Sequence, residues 1–600
     1  MHATSTPQPL NAETVPAAFQ RTASLYPDKP AIRTIDGSTT LSWSELAEQV
    51  RRAAVGLAGI GVGHGDTIAL ILPNTVECHV LDFAATHLGA VPFAIFNSSP
   101  AEQIAHQLGN ADARIVVTQQ SFLPKVSDAV AALDGQVKHL VVVDGEPGEG
   151  ATGLADLLAA GDADFDFEKA WQSVTADDLV TLIYTSGTTG PPKGAQWSHR
   201  TVMSEQRALD AALPMPTDGI ISFLPMAHAG GRITAQYMAL GYGATITTCP
   251  DMKDVPVALA TAHPDAFFSV PRLWEKLQVA IEGMIAAQPD DQRQALEQVV
   301  EVGHRRVLAV EVGSGVPQDE AEQLVKEHEA LLPLITPLLA RLGLDNVKAA
   351  FVGGAPSSPE LSQFFRSVGV PMLEAYGLTE GSLNVFNRVE DYKTGTAGKP
   401  LPGVEVRLAE DGELLCRGDL NFVGYRKQPE ATADALDADG WLHTGDVALI
   451  DEHGFIAIVD RKKEIIISSA GKNMSPANIE SAVKGESSLV GQVVAIGDGR
   501  KYVTALITLD PEAAPVHAKR LGLGDRSATE LAESPELLAE VEAIVARANQ
   551  RLHGNEQIKK FTVLGSAWLP DGDELTPTAK LKRRVINAKY ADVIDSMYGA

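Results

Sequence analysis

The sequence predicts an α/β protein of two or more domains, with helix-covered, mostly parallel sheets in its N-terminal part. Three observations predict it. Six hundred residues exceed what one hydrophobic core holds, so at least two domains are required. Short apolar runs alternate with amphipathic stretches from Ser42 to Thr118, the pattern of strands joined by crossover helices. A loop rich in glycine and hydroxyl groups then follows directly on an apolar run, as phosphate-binding loops do in such folds.

The elements follow in order. Ser42-Trp43-Ser44-Glu45 reads as a capping box opening a helix with Leu46, Val50, Ala53 and Leu57 on one face. Gly59-Ile60-Gly61 ends it, and the glycine-rich Gly56–Gly65 stretch, lacking dinucleotide-fingerprint spacing, reads as a connector. A strand over Thr67–Leu72, a helix from about Val76 to Leu88 and a strand over Ala90–Ile95 come next. Ser99-Pro100-Ala101-Glu102 is expected to cap a third helix, before a strand over Arg114–Thr118. Leu179–Ile183 reads as a buried strand. Residues 277–344 read as mostly amphipathic helix, and plain packing explains them.

The loop after Ile183 is Tyr184-Thr185-Ser186-Gly187-Thr188-Thr189-Gly190-Pro191-Pro192-Lys193-Gly194. Glycines let backbone N–H groups turn inward, the hydroxyls add donors, and Lys193 adds a point charge. The loop therefore suits phosphate oxygens. It is not a Walker loop, because Pro191-Pro192 precedes the lysine and Gly194-Ala195 follows it.

Composition bounds the function. Acidic residues outnumber basic ones, 77 to 49, for a formal charge of −28, which gives no electrostatic basis for a nucleic-acid partner. Cys78, Cys249 and Cys416 have no metal or disulfide spacing and fit a reducing cytoplasm. No signal pattern or membrane-length apolar run is seen, so a soluble protein is expected; peripheral membrane contact and a homodimer are compatible with this.

The loop resembles that of the adenylate-forming superfamily of acyl-CoA synthetases, luciferases and peptide-synthetase adenylation domains, and further segments follow in that superfamily's order. Ser222–Gly231 contains His228, which the resemblance puts beside the acyl carboxylate; the absence of an acidic residue there argues against an amino-acid substrate. Gly353-Gly354-Ala355-Pro356 is implied to face adenine. In Glu374-Ala375-Tyr376-Gly377-Leu378-Thr379-Glu380, Tyr376 is implied to stack on adenine, Thr379 to donate to the α-phosphate, and Glu380, with Thr185, to hold Mg²⁺. Asp446 would take the ribose hydroxyls.

Asp460–Ile467 resembles the superfamily's interdomain hinge, with Lys462 and Lys463 at the pivot, which implies a large N-terminal α/β domain over 1–460 and a small, mobile C-terminal α/β domain over 461–600. Arg461 would contact ribose or α-phosphate, and Lys463 and Gly471 the nucleotide or the pantetheine channel of coenzyme A. Some relatives carry a second lysine where this chain has Ile467, so that contact should be missing. In Thr576-Pro577-Thr578-Ala579-Lys580, Lys580 is assigned as the mobile catalytic lysine, with Lys582 the runner-up; many relatives have glycine where Ala579 stands. The assigned catalytic set is Lys580, Thr185, Lys193 and Glu380. The nucleotide set adds Ser186, Gly187, Thr188, Thr189, Gly354, Ala355, Pro356, Glu374, Ala375, Tyr376, Gly377, Thr379, Asp446 and Arg461.

Val270-Pro271-Arg272-Leu273-Trp274-Glu275-Lys276 is similar to a string of long-chain and bubblegum-type fatty-acyl-CoA ligases. The resemblance thus implies a ligase using ATP, Mg²⁺ and coenzyme A on a long fatty acid. Two other readings stand beside it: an acyl-AMP ligase delivering to a carrier protein, and a non-catalytic nucleotide-binding paralogue.

Overall fold

The computed structural model describes residues 6–185, 191–214, 217–569, 572–576 and 579–599. Its architecture is the expected α/β one. The Ser42 hydroxyl accepts from the Glu45 amide and the Glu45 carboxylate accepts from the Ser42 amide, so the capping box opens the helix Trp43–Gly59. That helix includes the first residues of the presumed glycine connector, which corrects the reading there. A Cβ on Gly56 would lie 2.5 Å from the Leu157 carbonyl oxygen, so glycine lets the helix Leu154–Ala159 cross backbone to backbone. A second correction falls at Ser99. Pro100, with φ −71° and ψ 161°, takes the cap position of the helix Ala101–Ala111, and no side chain caps it.

Three sheets with parallel cores carry the large domain. The first has the order Val91–Ala94, Thr67–Ile71, Ile115–Thr118, His139–Val142 and Thr152–Gly153, every pair parallel. The second places Gly219–Ser222 and Thr245–Thr248 parallel beside Pro30–Thr34, with Thr40–Ser42 antiparallel at its edge. In the third, Ala266–Ser269, Ala349–Val352 and Met372–Leu378 run parallel, and Ser382–Phe386 and Lys399–Pro400 return antiparallel. Their strands are apolar on both faces because helices cover both. Residues beyond the carboxyl ends of such strands are the ordinary place for a ligand in an open α/β sheet.

Antiparallel pairing appears where the chain must turn back. Leu179–Thr185 pairs with Lys193–Ser198, so the phosphate-type loop is the connection of a hairpin, with Thr185 opposite Lys193. Gly424–Tyr425 adds to the other edge of Lys193–Ser198. A four-stranded antiparallel sheet, Glu405–Leu408, Glu413–Arg417, Leu442–Ile450 and Ile456–Arg461, follows and ends at Arg461.

The region 277–344 is helical as expected, within Pro271–Ala286, Asp290–Val310 and Gln318–Arg341. Trp274 anchors it: fully buried, 5.2 Å from the Phe267 ring and 4.8 Å from the Phe365 ring, it donates to the Phe351 carbonyl at 3.1 Å. Residues from Ile466 on build their own core around the sheet Val490–Ile496, Val503–Leu509 and Ile558–Leu564. Strand alternation sends Val493 and Ile507 to one face and Val494 and Leu506 to the other, where Trp568 and Ile586 cover them.

Candidate active site

A groove of about 2380 Å³ lies between the large and small domains, and the ends of the parallel strands open into it. Gly353 and Gly354 follow the strand Ala349–Val352; Gly354 adopts φ +78° and stands exposed with Ala355 and Pro356 on the groove wall. Thr379 and Glu380 follow Met372–Leu378, and the Thr379 carbonyl accepts from Trp197 Nε1 at 2.7 Å. His228 follows Gly219–Ser222 and opens a helical stretch, its Nδ1 accepting from the Gly230 amide at 3.0 Å. Burial, with Lys580 adding to it, pushes the His228 pKa down to about 4, so the ring is neutral at ordinary pH.

Three side chains from separate segments interlock at the groove's centre. Asp446 is buried; its Oδ2 accepts from the Tyr376 hydroxyl at 2.5 Å and its Oδ1 pairs with Arg461 Nε at 2.8 Å. Burial raises the Asp446 carboxyl pKa, and Arg461 and Tyr376 counter that. Beside them, Glu380 Oε1 accepts from the Tyr425 hydroxyl at 2.6 Å, and the Lys193 ammonium stands 4.8 Å from the Tyr425 ring centre. Tyr425 thus couples the hairpin lysine to the Glu380 carboxylate. Burial and that carboxylate keep its phenol protonated.

The small domain reaches into this cluster. Lys580 lies at the end of a turn in which the Thr576 amide donates to the Lys580 carbonyl at 2.8 Å and the Lys580 amide to Thr576 Oγ1 at 3.0 Å. Its ammonium, open to the groove but enclosed by both domains, has a lowered pKa. Desolvation and Arg461 push it down, while Asp446, Glu380 and Glu464 hold it up. Ala579 has φ +59°, which explains why glycine suits this position. Lys582 caps the next helix, Arg583–Lys589, and also lines the groove.

Most of the expected residues gather here. Thr185, Lys193, Gly354, Ala355, Pro356, Glu374, Ala375, Tyr376, Gly377, Thr379, Asp446, Arg461, Lys463, His228 and Lys580 all line the groove. Ser186, Gly187, Thr188 and Thr189 lie outside the described residues. The Glu374 carboxylate is engaged inside the protein, by Asn387 Nδ2 at 3.0 Å and the Gly395 amide at 3.4 Å. A side chain at Gly377 would collide with the returning strand at Ser382. Lys463 is exposed, whereas Gly471 sits at φ +73° in the turn Ser468–Lys472, away from the groove lining. Ile467 is half exposed. Asp460 ties the strand Ile456–Arg461 to the start of the helix Pro476–Lys484, its Oδ2 accepting from Ser475 Oγ at 2.6 Å and the Ala477 amide at 2.9 Å.

Several contacts had no signature in the sequence. Besides Tyr425 and Trp197, Arg272 pairs with Asp510, Lys276 with Glu512 at 2.7 Å and Glu360 with Arg551 at 2.6 Å, all across the two domains. Lys462 bonds Glu413 at 3.2 Å and pairs with Asp411. The cysteines are all buried, which raises each thiol pKa to about 12 and leaves none as a nucleophile.

Residues 19–426 match the AMP-binding enzyme family, and residues 463–600 match the C-terminal domain of AMP-binding enzymes. The chain belongs to the AMP-binding enzyme family. It is 43% identical to FadD11 of Mycobacterium tuberculosis over 455 residues, 75% of this chain and 79% of that one. It is 35% identical over 582 residues to the long-chain-fatty-acid–CoA ligase FadD15 of the same organism, covering 94% of each. Among solved structures, the A domain of a carboxylic acid reductase from Segniliparus rugosus, in complex with AMP and a co-purified carboxylic acid, superposes with a TM-score of 0.74. It is 21% identical and covers 100% of this chain and 97% of that one, which shows a shared fold.

Proposed function

We propose that the protein is an ATP-dependent fatty-acid–CoA ligase that forms acyl-AMP and then acyl-CoA. The observation that carries this is the convergence of Lys580, from the small domain, on the Asp446–Arg461–Tyr376 cluster at the junction of the domains and the Glu380–Tyr425–Lys193 cluster of the large one. A binding module has no use for a lysine brought in from a second domain. The similarity to FadD15 over nearly the whole chain and the Val270–Lys276 string support a long acyl chain.

A carboxylate is a poor electrophile, and ATP activates it. The acid's oxygen attacks the α-phosphorus, the bond to the β-phosphate oxygen breaks, and pyrophosphate leaves with the electron pair. Catalysis is mainly positioning and charge neutralisation. Asp446 accepts the ribose hydroxyls, Gly354–Pro356 and Tyr376 flank adenine, and Arg461, Lys193 and Lys580 face the phosphates. Neutral His228 sits beside the acyl carboxylate without adding charge. The thiolate of coenzyme A then attacks the acyl carbon, and AMP departs. The segment Asp460–Ile467, with Lys462 and Lys463 at the pivot, is the hinge about which the small domain turns between the steps, carrying Lys580 away and bringing the turn at Gly471 to the thiol. The ion pairs Arg272–Asp510, Lys276–Glu512 and Glu360–Arg551 help to hold the arrangement seen here.

Mg²⁺ fits the oxygens available. Among the described residues no group of three or more His, Cys, Asp or Glu is placed to hold a metal. Glu380, with Thr185, would give one carboxylate and one hydroxyl, leaving the other positions to phosphate and water, as this ion prefers. When bound it offsets charge on the phosphates. No helix among the described residues is long and apolar enough to cross a membrane. We place the enzyme in the cytoplasm.

The test is a panel of acetate, benzoate, octanoate, laurate and palmitate compared by kcat/KM at fixed ATP and coenzyme A. A rise toward the longer chains is expected, since each buried methylene is worth up to about 0.8 kcal/mol. A maximum at acetate or benzoate would refute the fatty-acid reading.

A further inference from the structure

Behind the groove wall lies a separate cavity of about 10 Å³, bounded away from the groove by Ile220, Ile221, Ala266 and Phe267. It has room for about one water molecule, far less than an acyl tail needs. Thr234, Met238, Phe268 and Phe351 line both this cavity and the groove, so they form the partition between the two.

Two of the four are pinned. The Thr234 hydroxyl donates to the Gly230 carbonyl at 2.7 Å. Phe351 is buried on a central strand, its ring 5.2 Å from that of Phe386 and its carbonyl held by Trp274. Met238 is a pliable thioether chain. Phe268 differs from both phenylalanines beside it. Phe267 has ring partners in Phe223 and Trp274, whereas Phe268 is only partly buried and joins no ring pair among the described residues. Its ring lies between two glycines, each of which ends a segment of the site. A Cβ on Gly230 would come 3.1 Å from Phe268 Cε1, and one on Gly353 would come 3.6 Å from Cε2. Because both positions are glycine, the ring fits edge-on between them, in contact with both.

We propose that Phe268 is a plug on the acyl path and a determinant of chain-length specificity. In the arrangement seen here its ring closes the partition. An unbranched chain long enough to pass Gly230 turns the ring to another staggered rotamer and joins the small cavity to the groove. The cavity's apolar far wall then meets the end of the tail. This rests on the fatty-acid reading given above, and on Phe268 bordering the groove, partly buried and without the ring partner that Phe351 has.

The test compares Phe268→Ala and Phe268→Trp with wild type on saturated acids from butyrate to palmitate, by kcat/KM, with Tm recorded for each protein. The Trp variant should lose about tenfold or more on palmitate, several methylenes being denied burial, while butyrate changes less than about twofold. The Ala variant should raise the palmitate-to-butyrate ratio. If Phe268→Trp does not fold, Phe268→Leu takes its place, with an intermediate rise in that ratio expected. Equal effects at every chain length, or none, in a wild-type enzyme that does use palmitate would overturn the plug alone. Wild type failing on palmitate while activating a short acid would overturn the fatty-acid reading and the plug with it.

Discussion

Lys580→Ala separates the two half-reactions more cleanly than any other single change. The lysine's hydrogen bonds in its turn are made by its backbone, to Thr576, and alanine retains both. The fold should therefore survive, and the loss should be that of one cation among Arg461, Asp446, Glu380 and Glu464. Removing one such preorganised group from a transition state costs about 2.7–4 kcal/mol, or roughly 10²–10³ in rate. Pyrophosphate release from ATP and palmitate without coenzyme A should fall by that factor. Thioester formation from preformed palmitoyl-AMP should stay within a few-fold of wild type. Because desolvation lowers the lysine's pKa, rising pH strips its proton earlier than from an ordinary lysine. Adenylate formation should decline on the alkaline side accordingly, and Lys580→Arg should extend the plateau upward. Equal losses in both half-reactions, or the same selective loss from Lys582→Ala, would refute the assignment.

Other consequences are as specific. Glu380→Gln keeps the shape but removes a carboxylate, so the Mg²⁺ concentration supporting half-maximal pyrophosphate release should rise several-fold, with AMP binding changed less; an unchanged titration would move the metal site elsewhere. Tyr376→Phe deletes the hydroxyl that donates to Asp446 at 2.5 Å, a bond to a charged acceptor worth about 1.5–3 kcal/mol, and the KM for ATP should rise about tenfold. It also lets the Asp446 pKa climb further, so activity should fail at a higher pH on the acid side than in wild type. At Ala579, φ +59° costs an L residue about 1 kcal/mol; Ala579→Gly should match or exceed wild type in adenylate formation, and Ala579→Val should lose heavily.

What the sequence made legible was local. The capping box at Ser42, the apolar strands and the order of the motifs each depend on residues a few positions apart, and the structure places them as read. Partners distant in the chain were not legible. Tyr425 reaches Glu380 and Lys193 only because Gly424–Tyr425 joins the hairpin's edge, and two residues of strand carry no periodicity. Gly56 looked like a linker because a helix crossing it from residue 157 leaves no mark nearby. Pro100 displaced Ser99 from the cap by one position, within the reach of propensity arguments but below their resolution. The pairs Arg272–Asp510 and Lys276–Glu512 lie more than two hundred residues apart, and exposed charges of either sign would have read the same. Glu374 stood in a recognisable string, yet its carboxylate serves the loop at Asn387 and Gly395.

The account's central claim is that one site makes an acyl-adenylate and then transfers the acyl group to coenzyme A. Labelled palmitate, ATP and enzyme should be mixed without coenzyme A, quenched, and resolved for palmitoyl-AMP and pyrophosphate. Coenzyme A should then be added to a parallel sample. Enzyme-bound palmitoyl-AMP with an equal amount of pyrophosphate, converted on addition to palmitoyl-CoA and AMP in equal amounts, is the result predicted. Pyrophosphate that appears only when coenzyme A is present, or an adenylate that free coenzyme A never discharges, would contradict it.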